Sequence, residues 1–216
     1  MPTSTSTELV TAADRVYAEL RDRLALLELA PNEPINDVQI AEELGTGRTP
    51  VREAIKRLEQ DRLVVSFPRR GTFATTVDIT ALGNISEIRI RLEPLAAARA
   101  SRLASSEMRA DLSALAEEAL EFVIPNERRL VELDMRIHRQ IYRAAANPYL
   151  EDILIRHDAH ARRIWSTFLG RMPEESLRMD AHVGLIRAIV EGREEEAASI
   201  AEEHVADFER AVKRLM

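Results

Sequence analysis

The side chains with the clearest capacity for chemistry are one aspartate and three histidines in the C-terminal half of the chain. Asp134 and His138 are four residues apart, so in a helix they share one face. His182 and His204 follow on two further segments of helical periodicity, each among apolar residues. A carboxylate and three imidazoles that project into a helical bundle can bind a metal ion. Spacing alone favours the alternative of three separate histidines that each find a hydrogen-bond partner in the core.

The residue types restrict the metal that such a site would hold. Four ligands of this kind suit tetrahedral zinc, and they also suit Ni, Mn or Fe with open coordination positions. Such a site would hold one divalent metal per chain, with zinc the first choice, and an open position could take the carboxylate of a small organic acid. The remaining histidines, His157 and His160, are predicted to lie on the surface or at a dimer face.

A second chemical pattern lies near the N-terminus, over residues 36–63. A short apolar segment ends at Gly45, which suits a helix C-cap with positive φ. Arg48 and Thr49, followed by a proline, then open a second amphipathic segment that carries Arg52 on its polar face. A short helix, a glycine turn and a second helix that begins with arginine are typical of a helix-turn-helix DNA-binding unit.

Two β-rich runs follow this pattern, over residues 63–67 and 72–75. A Pro-Arg-Arg-Gly turn joins them, so we predict a hairpin whose tip carries Arg70 and Gly71. Beside a recognition helix, such a wing can contact phosphates or enter the minor groove. The alternative is a three-helix scaffold with solvated arginines, and the predicted hairpin favours DNA binding.

Composition limits the class of protein. The 216 residues include 45% hydrophobic and 31% charged residues and no cysteine, which excludes disulfides and thiolate metal sites. The chain shows neither a membrane-spanning apolar run nor a signal peptide, so we expect a cytoplasmic protein with no membrane partner. The net charge is −7, yet residues 45–73 hold seven basic and three acidic residues, a local charge of +4. A basic patch on an acidic body can still meet phosphates.

The predicted fold is mainly α, an N-terminal winged helix-turn-helix followed by an all-α six-helix bundle. Residues 1–7 are predicted to be a polar tail and residues 8–29 a first helix. The predicted domains are 1–75 for DNA binding, 76–81 as connector and 82–216 as the helical domain. Its predicted helices cover about 82–104, 107–123, 126–146, 149–169, 174–191 and 194–215.

Both halves of the chain resemble one known family. The segment AEELGTGRTPVREAIKRLEQDRLV followed by PRRGTF resembles the winged helix-turn-helix of the GntR family of bacterial transcription regulators. The second half resembles the FCD-type effector-binding domain of its FadR/VanR type. That resemblance rests on the segments EIRIRLEPLAAARA, DMRIHRQI, AANPYL, AHVGLIRAIVEG and EEHVADF.

The resemblance assigns roles to particular residues. The family's metal ligands, an aspartate and three histidines, match the four residues described at the outset. Arg89 matches an arginine on the first helix of this domain that often faces the effector. The alternative for Arg89 is an ion pair with Glu93, four residues on, and Arg91 is a competing candidate on another face of the same helix.

The resemblance also implies a function. It implies a homodimeric, ligand-responsive regulator that binds an inverted repeat in double-stranded DNA, with repression as the family's usual mode. Arg48 and Arg52 would read base edges, Thr49 would bond to phosphate or a base, and Arg70 and Gly71 would form the wing contact. A small carboxylate bound beside the metal would modulate DNA binding.

Two positions depart from the family's pattern. Gly47 stands where Ser or Thr often caps the recognition helix, and Val38 stands where a polar residue often contacts DNA. Both departures bear on the operator sequence and affinity rather than on DNA binding itself.

Two rival functions remain. One is a metal-dependent hydrolase with a DNA-binding appendage. The sequence has no HExxH motif and no cysteine nucleophile, so we expect that the protein is not an enzyme. The other is a regulator whose metal is purely structural. The sequence names neither the effector, the metal nor the operator.

Overall fold

The computed structural model describes residues 11–122, 127–173 and 179–216. The chain divides into two compact units, Met1–Thr76 and Val77–Met216. We call them the reading unit and the helical unit.

The reading unit is a winged helix-turn-helix, as predicted. The elements in chain order are α1 (Ala12–Ala25), β1 (Pro34–Ile35), α2 (Asp37–Glu43), α3 (Arg48–Gln60), β2 (Val64–Phe67) and β3 (Gly71–Ala74). Antiparallel β2 and β3 pair as a hairpin, with Val64 opposite Ala74 and Phe67 opposite Gly71. The two-residue strand β1, which the sequence did not predict, pairs with the other side of β3.

The first helix is shorter than predicted. Thr11 caps it, and its side chain and that of Asp14 form a reciprocal capping box. The helix ends at Ala25 because Leu27 adopts a left-handed φ of 57°, so residues 26–29 do not continue it. The predicted helix start at Glu8 and the predicted tail over residues 1–7 lie outside the described residues.

In the helical unit, the described residues form six α-helices, in agreement with the predicted bundle. A short 3₁₀ turn, Ile79–Ala81, precedes the first of them. Helix α4 contacts four of the other helices, α6, α7, α8 and α9, and is the central element of the unit. The helices are α4 (Leu82–Leu103), α5 (Ser106–Glu121), α6 (Glu127–Ala144), α7 (Pro148–Phe168), α8 (Asp180–Val190) and α9 (Glu194–Lys213).

The predicted helix breaks have identifiable causes. The side chain of Asn147 caps α7, and Pro148 takes the first helical position, where a missing N–H costs little. Gly192 follows α8 with a φ of 74°, a left-handed conformation that favours glycine. Helix α8 begins at Asp180, and the earlier predicted start at residue 174 lies outside the described residues. No helix in the described ranges is both long and apolar enough to cross a membrane.

Candidate metal centre and nucleic-acid interface

The four predicted metal ligands meet in the helical unit. Helix α6 presents Asp134 and His138 one turn apart, α8 presents His182, and α9 presents His204. Each offers one ligand atom, and these four atoms all lie within 4.8 Å of one another. Asp134, His138 and His182 are buried, and His204 is half-buried. We call this group the Asp-His cluster.

The distances inside the Asp-His cluster fit a shared ion. Asp134 Oδ1 lies 2.7 Å from His182 Nε2 and 3.8 Å from His138 Nε2. The two histidine Nε2 atoms are 3.3 Å apart. Ligand atoms that bind one tetrahedral zinc at about 2.1 Å stand about 3.4 Å from each other. The observed distances lie on both sides of that value, so a small shift of these side chains would accommodate a metal ion.

The electrostatics of the cluster also suit a cation. Burial opposes ionisation of Asp134, but the guanidinium of Arg162 and the nearby histidines hold its pKa well below the usual range. Burial and the neighbouring rings lower the pKa of His204 well below its ordinary value. Burial acts against charge on His138 as well, yet the carboxylates of Asp134 and Glu93 raise its pKa. Because metal ligands must be unprotonated, a metal ion would compete with a proton at His138.

A second layer of side chains orients His138. Its Nδ1 lies 3.1 Å from the hydroxyl of Tyr142 and 3.5 Å from Glu93 Oε2. Arg89 Nε donates to Glu93 Oε1 at 2.6 Å, so the ion pair that we gave as the alternative role of Arg89 is present. A cavity opens beside the Asp-His cluster. Arg89 lines this cavity, whereas Arg91 is exposed and does not line it. A carboxylate behind a ligand histidine fixes its tautomer and orientation.

Sequence reasoning missed Arg162 and Asp158, which hold the other side of the cluster. Arg162 Nη1 donates to Asp134 Oδ2. The same guanidinium donates to both oxygens of Asp158, at 2.6 and 3.0 Å. With Oδ2 of Asp134 occupied, Oδ1 is the oxygen that faces the histidines. Asp158 and Arg162 are four residues apart, a spacing typical of exposed helix pairs, so no sequence pattern indicates their burial.

A cavity of about 260 Å³ opens beside the Asp-His cluster. All four cluster residues line it, together with Arg89, Asp158 and Arg162. Its remaining described lining is mainly apolar and includes Trp165, Phe208, Met172, Met179 and Ala211. Concave sites with a few convergent polar groups in an apolar surface are typical of small-molecule binding.

In the reading unit, helix α3 places the predicted base-reading side chains at its start. Arg48 and Thr49 occupy the first turn and Arg52 the next, and Gly47 takes the N-cap position without a side chain to cap it. Both arginines bind Asp37 at the start of α2: Arg52 Nε lies 2.6 Å and Arg48 Nη2 3.1 Å from Asp37 Oδ2. Asp37 was not among the predicted site residues.

The wing has the predicted geometry. Gly71 has a φ of 100° at the hairpin tip, a conformation that favours glycine. The Arg70 guanidinium lies 5.8 Å from the centre of the Phe67 ring. Phe67 and Phe73 contact each other across the strands, with ring centres 6.1 Å apart. The two aromatic rings thus stiffen the hairpin near Arg70.

His157 and His160 lie on α7, outside the Asp-His cluster, and both are half-buried. The predicted surface position is therefore correct only in part. Burial and the neighbouring His160 lower the pKa of His157.

Comparison with known proteins places both units. Residues 12–74 match the model of "Bacterial regulatory proteins, gntR family", and residues 84–207, more than half of the chain, match the FCD domain.

Related proteins agree with this family match, and a solved structure agrees with the fold. An uncharacterized HTH-type transcriptional regulator of Agrobacterium vitis is 30% identical over 63% of this chain and 84% of its own. One from an unstable DNA locus of Streptomyces ambofaciens is 36% identical over 36% of this chain, and the match spans only 33% of that relative. The structure of E. coli McbR/YncC superposes with a TM-score of 0.80 at 20% identity, covering 96% of this chain and 99% of that one. The relatives' names describe transcriptional regulators rather than enzymes. The protein therefore belongs to the GntR family of bacterial transcription regulators and carries an FCD domain.

Proposed function

We propose that this DNA-binding regulator is a repressor that a small carboxylate releases from DNA after binding beside a divalent metal. The observation that carries the proposal is the convergence of four ligand atoms within 4.8 Å at the wall of a cavity of about 260 Å³. The site thus combines metal ligands with room for a small molecule.

The metal would be held by the Asp-His cluster, one ion per chain. Zinc fits three nitrogens and one carboxylate oxygen, and Ni, Mn or Fe fit the same donors with further open positions. When bound, the ion supplies a positive charge that can accept a carboxylate oxygen. Arg162 keeps Asp134 Oδ1 directed at the histidines, and Glu93 and Tyr142 orient His138.

DNA contact would come from the start of α3 and from the wing. Arg48 and Arg52 are exposed and can reach the guanine edges that arginine prefers in the major groove. Thr49 can bond to a phosphate or a base. Arg70 and Gly71, at the hairpin tip, can follow the phosphate backbone or enter the minor groove.

A homodimer would present two reading units to an inverted repeat, because a two-fold protein matches a two-fold DNA site. The helical unit offers apolar surface for such an interface. Tyr149 and Ile153 lie one turn apart on α7 and are exposed. The effector changes DNA affinity only if it binds the DNA-competent and DNA-incompetent states unequally.

Elemental analysis tests the metal site directly. The full-length protein is purified without a metal-affinity tag, together with His182→Ala and the control His157→Ala, which alters a histidine outside the cluster. We expect about one divalent ion per chain in the wild type and the control, and loss of that ion in His182→Ala. A folded wild-type protein that contains no metal and cannot be loaded with one would refute the metal-anchored effector.

A second measurement separates a sensing metal from a purely structural one. DNA binding, fold and the response to organic acids are compared between the wild type and His182→Ala, because Asp134→Ala would also strand the buried guanidinium of Arg162. Loss of the acid response with the fold intact supports sensing. Loss of folding itself would show that the metal is structural.

A further inference from the structure

Five buried charged residues lie at or directly behind the wall of the cavity, and the way they pair restricts what can bind there. None is more than 5% exposed. Arg89 pairs with Glu93 at 2.6 Å and lies 3.8 Å from Asp158. Arg162 pairs with both Asp158 and Asp134. We call these five residues the buried charge group.

The positive and negative charges of the buried charge group do not balance. Three carboxylates and two guanidiniums sum to −1, and the cluster histidines are neutral when they bind a metal. A divalent ion on Asp134 brings the sum to +1. An unbalanced charge in the interior is costly, so the site gains most from one negative charge on its occupant.

A second negative charge on the occupant would find poor support. Both buried arginines already face carboxylates, and Glu93 and Asp158 would repel a further anion nearby. Among the described lining residues, Arg214 offers one more cation, but it is exposed to solvent, and Asp207 also lines the cavity. Solvent screening weakens what Arg214 can contribute.

The rest of the described cavity wall is mainly apolar and aromatic, and the Phe208 ring centre lies 5.6 Å from the Arg89 guanidinium. Trp165 and Phe208 meet edge to face with ring centres 6.5 Å apart. Met172, Met179 and Ala211 extend this wall, and both methionines are buried. Such a surface favours a ring or branched hydrocarbon, and apart from the indole N–H of Trp165 these side chains offer no strong hydrogen-bonding group to a chain of hydroxyl groups. The volume lies just below the roughly 300–1,000 Å³ of ordinary ligand pockets, so the occupant is small.

Building on the proposed function, we infer that the effector is a small acid with a single negative charge and an apolar body, about the size of one ring. Its carboxylate would face the Asp-His cluster, and its body would contact Trp165 and Phe208. Dicarboxylates and polyhydroxylated sugar acids are disfavoured by the same charges and surfaces.

Matched probes test this inference on the full-length protein loaded with Zn²⁺, by calorimetry and thermal unfolding. Benzoate carries one charge on one ring, phthalate two charges on one ring, benzamide no charge, and gluconate one charge with no apolar body. We expect benzoate to bind on the order of tenfold or more tightly than each of the others, because like charges and unpaired polar groups are costly in a buried site. Protein stripped of metal should lose benzoate binding. Co²⁺-loaded protein should change its visible absorption on adding benzoate.

Two variants test the roles assigned to the apolar wall and to the buried charge group. Trp165→Ala should weaken benzoate while leaving metal content unchanged. Asp158→Asn removes one buried negative charge, so the preference should move toward phthalate, whereas Asp152→Asn, an exposed change on the same helix, should leave the preference unchanged. Circular dichroism and metal content establish that each variant is folded and loaded. If Asp158→Asn does not fold, the wild-type probe series decides the inference alone.

The inference and the proposed function fail in different ways. If phthalate or gluconate binds the metal-loaded wild type as tightly as benzoate, the inferred class is wrong while a metal-bound acid remains supported. If no probe acid, including benzoate, binds the metal-loaded protein or changes the Co²⁺ spectrum, both this inference and the carboxylate effector are refuted.

Discussion

The two units use arginine–carboxylate pairs in opposite settings. In the reading unit, Arg48 and Arg52 pair with Asp37, and the two arginine side chains are 52% and 61% exposed. In the helical unit, Arg89 pairs with Glu93, and these side chains are 5% and 3% exposed. Both units pair arginine with a carboxylate, but water reaches the arginines of the reading unit and not the pair in the helical unit.

This difference separates two uses of charge. An exposed pair gains little in water, so its arginines can exchange a carboxylate for a phosphate or a base at low cost. A buried pair is fixed, because removing one partner strands a charge in the interior. The reading unit thus keeps its cations available to a partner, while the helical unit uses its cations to hold the Asp-His cluster in shape.

The largest expected effect comes from breaking a buried pair. Glu93→Ala leaves the Arg89 guanidinium with Asp158, 3.8 Å away, as its described ion-pair partner. We expect the free energy of unfolding to fall by about 3–5 kcal/mol. Urea denaturation followed by circular dichroism and by Trp165 fluorescence, which reports on the helical unit, measures this change.

Two controls bear on that result. The exposed pair Arg102–Glu194 should tolerate Arg102→Ala with a loss of at most about 1 kcal/mol. The double change Arg89→Met with Glu93→Leu should cost less than Glu93→Ala alone, since it removes both members of the pair and strands neither. Equal losses for Glu93→Ala and Arg102→Ala would show that burial does not distinguish the two settings.

The next effect concerns base reading by the exposed arginines. Arg52→Ala should weaken binding to a selected operator by about 1–3 kcal/mol, because one base contact is lost. Binding to random DNA should change much less. The operator is first obtained by selection from a random DNA library, and fluorescence anisotropy then gives both affinities.

Lys56→Ala is a matched control for Arg52→Ala, since it removes one positive charge from the exposed face of the same helix. It should weaken specific and random binding by similar factors, as a loss of general phosphate attraction does. Arg52→Ala behaving in the same way would argue against base reading.

A smaller effect is expected from Asp37. The hydrogen bond from Arg52 is the main cause that lowers the Asp37 pKa, so the carboxylate is ionised and would compete with DNA for both arginines if they contact it as proposed. Asp37→Asn should raise the affinity for random DNA and steepen the slope of log K against log salt by up to about one unit. Glu42→Gln removes an exposed charge from the same helix. An equal change in that variant would attribute the effect to net charge alone.

Much of the reading unit could be predicted from sequence because its elements have local causes. Gly45 and Gly71 both adopt the left-handed φ that their positions required, and α3 begins at Arg48 as predicted. The two-residue strand β1 escaped prediction because its pairing with β3 joins residues that are distant in sequence. The early end of α1 depends on Leu27, a residue type that gives no turn signal.

In the helical unit, the candidate metal ligands could be predicted from the sequence, but the residues that hold them in place could not. Apolar stripes place Asp134 and His138 toward the core, and helical spacing is enough to see this. Whether Asp158 and Arg162 face the cavity or solvent depends on how α7 packs against its neighbours, which no local pattern states. The charge of the cavity, on which the inferred class of occupant rests, follows only from the packed structure.

The smallest expected effect tests how little an exposed pair contributes. A hydrogen bond from Thr11, together with the ion pair to Arg57, lowers the pKa of Asp14 to about 2, from 3.8. Because the folded pKa is the lower one, the stabilisation is present above about pH 4 and is lost as the pH falls toward 2. The Asp14 side chain is 43% exposed, so solvent screening should keep the effect below about 1 kcal/mol. Hydrogen exchange of α1 amides, compared between wild type and Asp14→Asn, should show a difference at pH 6 that shrinks toward pH 2. A difference that is unchanged at pH 2 would mean that the ionised carboxylate is not its source.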